Sequence, residues 1–434
     1  MATHRRVRRM AGLIACYLAN PELLRRVVDP RSLQGRRWKT CLPLLSAVLL
    51  GLACGCKGLE EVEELTADMH KSVRKLVGIP RRIPDTTLRD FLVKLDHEQL
   101  SNLLYVIGYD AWRRKALVPT GDFPWGILSC DGKYPVIRDT EVSAYLQVHH
   151  DEDRQAIYGM LRTITATLIT AEGRPILGAV PVPGDTNEQG SFQKSFGDMV
   201  RIYGRLFGMV MYDAGATSKP NADAVRKAGK HYFFQVADPR WIMYQTLETL
   251  LADKPVVATQ EENLSSHERV VRRLSLVELN PTGKNLTIWG HTRTAFKVVS
   301  EHYEKGVFKS TLTRYFITDV ESWELSADKW LDLVVMRWGV ETSHQILDGA
   351  FAEDDRPWIT KDAHGALAVM LLRRVAYTIV TLFRSVTQRS EDNRLQPFRK
   401  ILEWIKDALK WPNAEELEGL RTRSFAVPPA LACA

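Results

Sequence analysis

Three acidic residues sit in contexts suited to holding a cation beside an oxygen-rich substrate. Asp131 and Asp213 each follow a short apolar run, residues 125–130 and 206–212, and each is followed at once by small residues, Gly132 in one case and Ala214-Gly215 in the other. An aspartate ending a buried strand is held rigidly, and glycine beside it lets a ligand approach the backbone. The third is Glu341, in the stretch Arg337-Trp338-Gly339-Val340-Glu341-Thr342-Ser343-His344-Gln345-Ile346-Leu347-Asp348. Read as one helix from about residue 327, this stretch sets Arg337, Glu341, His344 and Asp348 at i, i+4, i+7 and i+11, within about 60° of arc. The rest of that helix is mostly apolar, which predicts burial, and charges on a buried helix must be paired, coordinated or used. Three converging carboxylates require a cation, and oxygen-only ligands suit Mg²⁺ or Mn²⁺ rather than zinc. Two such ions about 3.5–4 Å apart can activate a water or hydroxyl and stabilise the leaving oxygen of a phosphodiester.

The elements that must position these residues follow from hydrophobic patterning. Strands are predicted over residues 125–130, 206–212 and 231–236, a hairpin over 163–170 and 175–183, and helices over 189–203 and 221–229. Strand, hairpin, helix, strand, helix, strand is the order of a ribonuclease H-like α/β domain, a mixed sheet that exposes its strand ends to ligands. Residues 267–278, 286–301 and 307–318 are rich in Val, Thr and aromatics with period-2 stretches, a β-rich insertion before the helix that carries Glu341. Residues 1–118 read as all helical, with short blocks and a helix start at Pro84-Asp85-Thr86-Thr87 capped by Asp85 or Thr86. The expected fold class is therefore α/β, a ribonuclease H-like mixed sheet with a β-rich insertion before the last catalytic helix, preceded by an all-helical N-terminal domain. The expected divisions are 1–118, helical and DNA-binding with a basic arm; 119–237 with 321–390, catalytic; 238–320, the insertion; and 391–434, a C-terminal tail.

Composition narrows the class further. At 434 residues with 45% hydrophobic and 26% charged side chains, the chain is neither disordered nor fibrous. Its six cysteines lack zinc-ligand spacing and read as free thiols of a reducing compartment, and His149-His150-Asp151 has no cysteine partners for a zinc set. Residues 1–40 carry ten Arg or Lys against Glu22 and Asp29, a net +8 that leaves the other 394 residues at −1. A basic arm on a near-neutral body predicts a polyanionic partner. The uncharged run 41–56 is short for a membrane span, and the apolar stretch 363–384 is interrupted by Arg373-Arg374. No export signal or membrane association is expected, and the expected location is cytoplasmic.

A resemblance extends this reading. Asp131-Gly132-Lys133, Thr186-Asn187-Glu188, Asp213-Ala214, Arg337-Trp338-Gly339-Val340-Glu341 with Leu347-Asp348, Phe351-Ala352-Glu353-Asp354 and Leu372-Arg373-Arg374-Val375-Ala376 resemble the signature segments of bacterial insertion-sequence DDE transposases. The likeness is to the subgroup that includes the H-repeat-associated proteins and spans roughly residues 40–385; Asp85-Thr86-Thr87-Leu88-Arg89 is similar to that family's N-terminal region. It implies Asp131, Asp213 and Glu341 as catalytic residues binding two Mg²⁺ or Mn²⁺ ions. It also implies transposon terminal inverted repeats and target DNA as partners, with a homodimer in the synaptic complex. Lys133, Arg337 and His344 are candidate phosphate or DNA contacts, and Glu188 and Asp348 candidate supporting carboxylates. The sequence departs from many relatives in neighbouring subgroups, which carry a tyrosine three residues before the arginine and a lysine seven after the glutamate; Val334 and Asp348 stand there here. The expected activity is metal-dependent DNA cleavage at transposon ends with strand transfer. The alternatives are a ribonuclease H-like nuclease without strand transfer and a non-catalytic DNA-binding protein of transposon origin.

Overall fold

The computed structural model describes residues 10–31, 40–141, 143–151, 156–170, 173–279, 288–354, 356–388, 394–412, 417, 420 and 423–431. A nine-stranded sheet, in the order β6-β5-β1-β7-β8-β12-β11-β10-β9, organises them. Strands β1 (Ile127–Lys133), β5 (Thr163–Ile169) and β6 (Ile176–Pro181) form an antiparallel set, and β7 (Met209–Tyr212) and β8 (His231–Val236) run parallel to β1. An antiparallel hairpin, β5 and β6, on one side of the first strand and two parallel strands on the other is the ribonuclease H-like arrangement, a mixed α/β sheet as expected. Ala171 and Glu172, in the predicted hairpin turn, lie outside the described residues.

The insertion extends this sheet. Strands β9 (Ala258–Asn263), β10 (Glu268–Glu278), β11 (Thr294–Glu304) and β12 (Val307–Thr318) form an antiparallel array, and β12 pairs with β8. One row of paired residues therefore crosses six strands, Cys130–Tyr212–Phe234–Ile317–Ala295–Val277. Helix α8 (Lys219–Lys227) lies close to the expected span, whereas strand β9 and helix α9 (Ile242–Leu250) were not anticipated, and β11 begins at Thr294 rather than near residue 286. The turn at Asn280-Pro281-Thr282-Gly283 lies outside the described residues.

Side-chain alternation divides the sheet into two faces. Residues in step with Tyr212 and Phe234 meet α7 (Glu188–Tyr203), where Phe192 packs edge-on against both rings. Residues in step with Met211, Phe233, Phe296 and Phe316 pack with Trp330, Leu331, Leu333 and Val334 of α10 (Ala327–Arg337). The helix expected to run unbroken through Asp348 is instead two, α10 and α11 (Gly339–Gly349), divided at Trp338. The Arg337 carbonyl accepts a hydrogen bond from Ser129 Oγ of β1 at 3.0 Å. Gly339 allows the close approach, because a Cβ there would lie 2.5 Å from Ile169 Cδ1. The break thus fastens the Glu341 helix to the strand that carries Asp131.

Among the described residues, a helical segment over Ile14–Leu18 and the helices α1 (Pro21–Leu24), α2 (Cys41–Ala53), α3 (Leu59–Asp68), α4 (Lys71–Val77), α5 (Asp85–Leu92) and α6 (His97–Arg113) precede the sheet. Pro84 occupies the cap position of α5 and Asp85 its first turn, one residue earlier than anticipated. One of two apolar clusters runs from Met10 to Leu409 and crosses the expected boundary at residue 118. The basic segment is only partly an arm: Leu13, Ile14, Leu18, Leu23 and Leu24 are buried, and Arg31 pairs with Asp29 at 2.8 Å. Arg5, Arg6, Arg8, Arg9, Arg36, Arg37 and Lys39 lie outside the described residues. Helix α12 (Ala363–Leu382) is the one described helix long and apolar enough to cross a membrane, and all of it but His364 is buried, packed against α2, α6 and β6. The long connection after β1 forms a separate three-stranded sheet from β2 (Val136–Ile137), β4 (Ala156–Leu161) and β3 (Leu146–Asp151). A last helix, α13 (Phe398–Lys410), precedes a C-terminal strap whose Ala426 N–H donates to Asp110 of α6 at 3.1 Å.

Candidate active site

Asp131 and Asp213 meet because β1 and β7 are parallel neighbours in register. Their last pair is Cys130 with Tyr212, so each aspartate is the next residue along its strand, about one strand spacing (~4.8 Å) from the other. Strand alternation turns both toward α10 and α11. Asp131 accepts its neighbour Gly132 N–H at 2.9 Å, and Asp213 accepts Gly215 N–H at 2.8 Å.

A fourth carboxylate enters from the opposite face. Asn187 caps α7 by accepting Gly190 N–H, which fixes Glu188 in the first turn beneath the two strand ends. Glu188 is 3% exposed. Its Oε2 accepts the Tyr212 hydroxyl at 3.1 Å, while its Oε1 is buried without a partner. The two glycines beside the aspartates make room for it: a Cβ on Gly132 would lie 1.8 Å from Glu188 Oε1, and one on Gly215 2.7 Å from Oε2. Burial and then the charge of Asp213 push the Glu188 carboxyl up to about 8, with Asp131 adding to the rise and the Tyr212 hydrogen bond opposing it. Asp213 is raised as well, by burial and then by Asp131, against the pull of Gly215 N–H and Arg337.

Glu341 lies close enough for its charge to be felt at Asp213, but its carboxylate is engaged by Arg337 at 3.0 Å. His344 Nδ1 stands 3.4 Å from Asp131 Oδ2, and its Nε2 is buried without a partner. Lys133 has carboxylate partners rather than an open face: its Nζ bonds both oxygens of Asp348 at 2.7 Å and Asp354 at 3.0 Å. Asp348 therefore pairs with Lys133, not with Arg337. The donor chemistry fits a hard divalent cation, since every carboxylate at the strand ends offers oxygen and one buried oxygen has no partner. Among the described residues, no three His, Cys, Asp or Glu side chains are gathered into a ligand set as they stand.

Several contributors escaped the sequence. Glu353 and Arg374, 1% and 0% exposed, pair at 2.7 Å, and Arg374 reaches the Thr163 and Thr165 hydroxyls of β5. Ala352, in the left-handed region at φ 51°, turns the chain just before Glu353. Arg272 and Arg314, on the insertion strands, join Arg337 around the Trp338 indole. The sequence shows Arg272 and Arg314 only as isolated basic residues on predicted strands, and nothing in their spacing indicates a common ring.

Sheet order and strand-end carboxylates define a ribonuclease H-like α/β protein with an acidic centre between its first and fourth core strands. Its N-terminal helical region, residues 22–106, matches the family model described as DDE_Tnp_1-associated. A solved structure, a cryo-EM structure of a piggyBac transposase synaptic complex with hairpin DNA, is similar over 94% of this chain and 80% of its own, with 10% identity and a TM-score of 0.46. No curated protein matches the sequence.

Proposed function

We propose that this chain is a DDE-type transposase that cleaves DNA at transposon ends and joins a 3′-hydroxyl to target DNA. The observation that supports it best is the coincidence of Asp131 and Asp213 on adjacent parallel strands, with the Glu341 helix fastened to the first of them through Ser129. Asp131, Asp213 and Glu341 would hold Mg²⁺ or Mn²⁺ in this reading, two ions supplying nucleophile activation and charge neutralisation at phosphorus. The protein's own part is to hold the carboxylates rigidly at the strand ends and to keep Arg337 beside Glu341. Paired terminal repeats imply a dimer that handles two DNA ends together.

The test is cleavage of a duplex carrying the element's terminal repeat, with Mg²⁺ present. Glu341→Ala is expected to lose on the order of 10³-fold in rate, the equivalent of several kcal/mol of transition-state stabilisation. Equal cleavage by the variant removes Glu341 from the site. Cleavage without joined product in a strand-transfer assay favours a nuclease. The Arg337–Glu341 pairing favours one further reading, a DNA-binding protein that no longer cleaves, and repeat binding with no metal-dependent cleavage by the unsubstituted protein would establish it.

A further inference from the structure

We propose that Arg272, Arg314 and Arg337, grouped about the indole of Trp338, form a cradle for the phosphate backbone of DNA leading away from the carboxylate centre. The inference rests on the DNA reading above and adds a site on the insertion. The guanidinium carbons of Arg272, Arg314 and Arg337 lie 5.1, 5.2 and 5.7 Å from the centre of the Trp338 ring. Register explains why they meet. Arg272 is opposite Ser300, Ser300 opposite Leu312, Leu274 opposite Val298 and Val298 opposite Arg314. Both insertion arginines therefore project from the face that α10 covers, with β11 between them.

The same register places them relative to Asp131 and Asp213. Ile317 of β12 shares the row of Cys130 and Tyr212, and β12 runs antiparallel to β8. Moving back from Ile317 to Arg314 thus leads toward the end of the sheet where Asp131 and Asp213 lie. Ser300, and with it Arg272, is displaced toward that end too. The insertion arginines and the strand-end aspartates share one face and one end of the sheet, and Arg337 joins the two groups through Glu341.

The positive charge is incompletely answered within the protein. Arg272 pairs with Glu262 at 2.6 Å and Arg337 with Glu341 at 3.0 Å. Arg272 and Arg337 are 6% and 5% exposed, and the Nε of each is buried without an acceptor. Arg314 is half-buried and, among the described residues, forms no close ion pair, although the charges of both Glu341 and Arg337 reach it. Unsatisfied buried donors are expensive and cations crowded on one ring repel, so an anion at this place is favoured. The planar guanidinium fork suits phosphate oxygens bidentately. A run of such groups continuing from a phosphodiester-directed centre fits a polymer of phosphates better than a single small anion.

The experiment measures binding of the full-length protein to a labelled terminal-repeat duplex by fluorescence anisotropy over a series of NaCl concentrations. Arg314 is the position to change, because its removal orphans no carboxylate. Arg314→Ala is expected to weaken binding about tenfold at low salt and to flatten the log–log salt dependence by about 0.9, the loss of one phosphate contact. Arg314→Lys is expected to recover most of the slope, which a purely packing role would not produce. If the unsubstituted protein binds the duplex and Arg314→Ala leaves affinity and slope unchanged, the cradle is wrong while the DNA reading stands. If the unsubstituted protein binds no DNA, both fall. Should Arg314→Ala lower the melting temperature, Arg314→Gln, which keeps the stem over the indole, is held to the same two outcomes.

Discussion

Replacing Glu353 with alanine is expected to destabilise the fold by about 3–5 kcal/mol, the usual penalty for stranding one partner of a buried ion pair. Arg374 is fully buried, donates to Glu353 Oε1 at 2.7 Å and to the Met370 carbonyl at 2.9 Å, and has no solvent to turn to. Its neighbour Arg373 is equally buried and already loses basicity, to about 10, chiefly through burial, with the Glu353 charge opposing that loss. Removing Glu353 leaves two adjacent guanidiniums inside an apolar helix with one compensating charge gone. Urea or thermal unfolding measures the loss, and a change below about 1 kcal/mol would show that the pair is not what holds the segment after α11 to β5. Glu353→Leu combined with Arg374→Met should be milder than Glu353→Ala alone, since matched apolar replacement removes the stranded charge.

The second large effect concerns pH. In metal-free protein kept with a chelator, Glu188 retains its proton in the fold up to about 8, whereas its ordinary value is 4.5. Folding therefore takes up a proton between those values. The contribution of Glu188 is fully favourable below about 4.5 and declines as pH rises toward about 8, at up to about 1.4 kcal/mol per pH unit. Asp213, raised in the same direction, adds to the decline just above the ordinary aspartate range. Glu188→Gln keeps the shape and the Tyr212 contact but cannot ionise. It is expected to be no more stable than the unsubstituted protein near pH 5 and clearly more stable near pH 8.5. Melting curves that run parallel for the two proteins across this range would mean that Glu188 ionises freely.

Much of the centre was legible because the clues were local. Asp213-Ala214-Gly215 does follow directly on β7, whereas β1 runs two residues past Asp131 to Lys133, and short apolar runs located the strands that align the two aspartates. Glu188 was visible as a carboxylate beside Asn187, but its depth was not, because the space it occupies is made by Gly132 and Gly215. What escaped is what depends on partners far away in the chain. The 3.6-residue period runs smoothly through Trp338, and only Ser129, 208 residues earlier, shows why the Arg337 carbonyl is taken out of the helix. Phe351-Ala352-Glu353-Asp354 and Leu372-Arg373-Arg374 were noticed as separate signatures, while the ion pair joining them is a tertiary fact. Lys133, read as a possible DNA contact, instead brings an ammonium to Asp348, the position where many relatives carry a lysine of their own.

The row of paired residues from Cys130 to Val277 has a mechanical meaning. Hydrogen-bonded strands in unbroken register resist sliding and splaying, so the interval between the strand-end aspartates and Arg314 works as a fixed gauge. A duplex engaging both ends of that gauge must bring its own backbone to the spacing. The energy of fit then falls on the DNA, and sequences that bend or unstack easily would be favoured at positions the protein never touches.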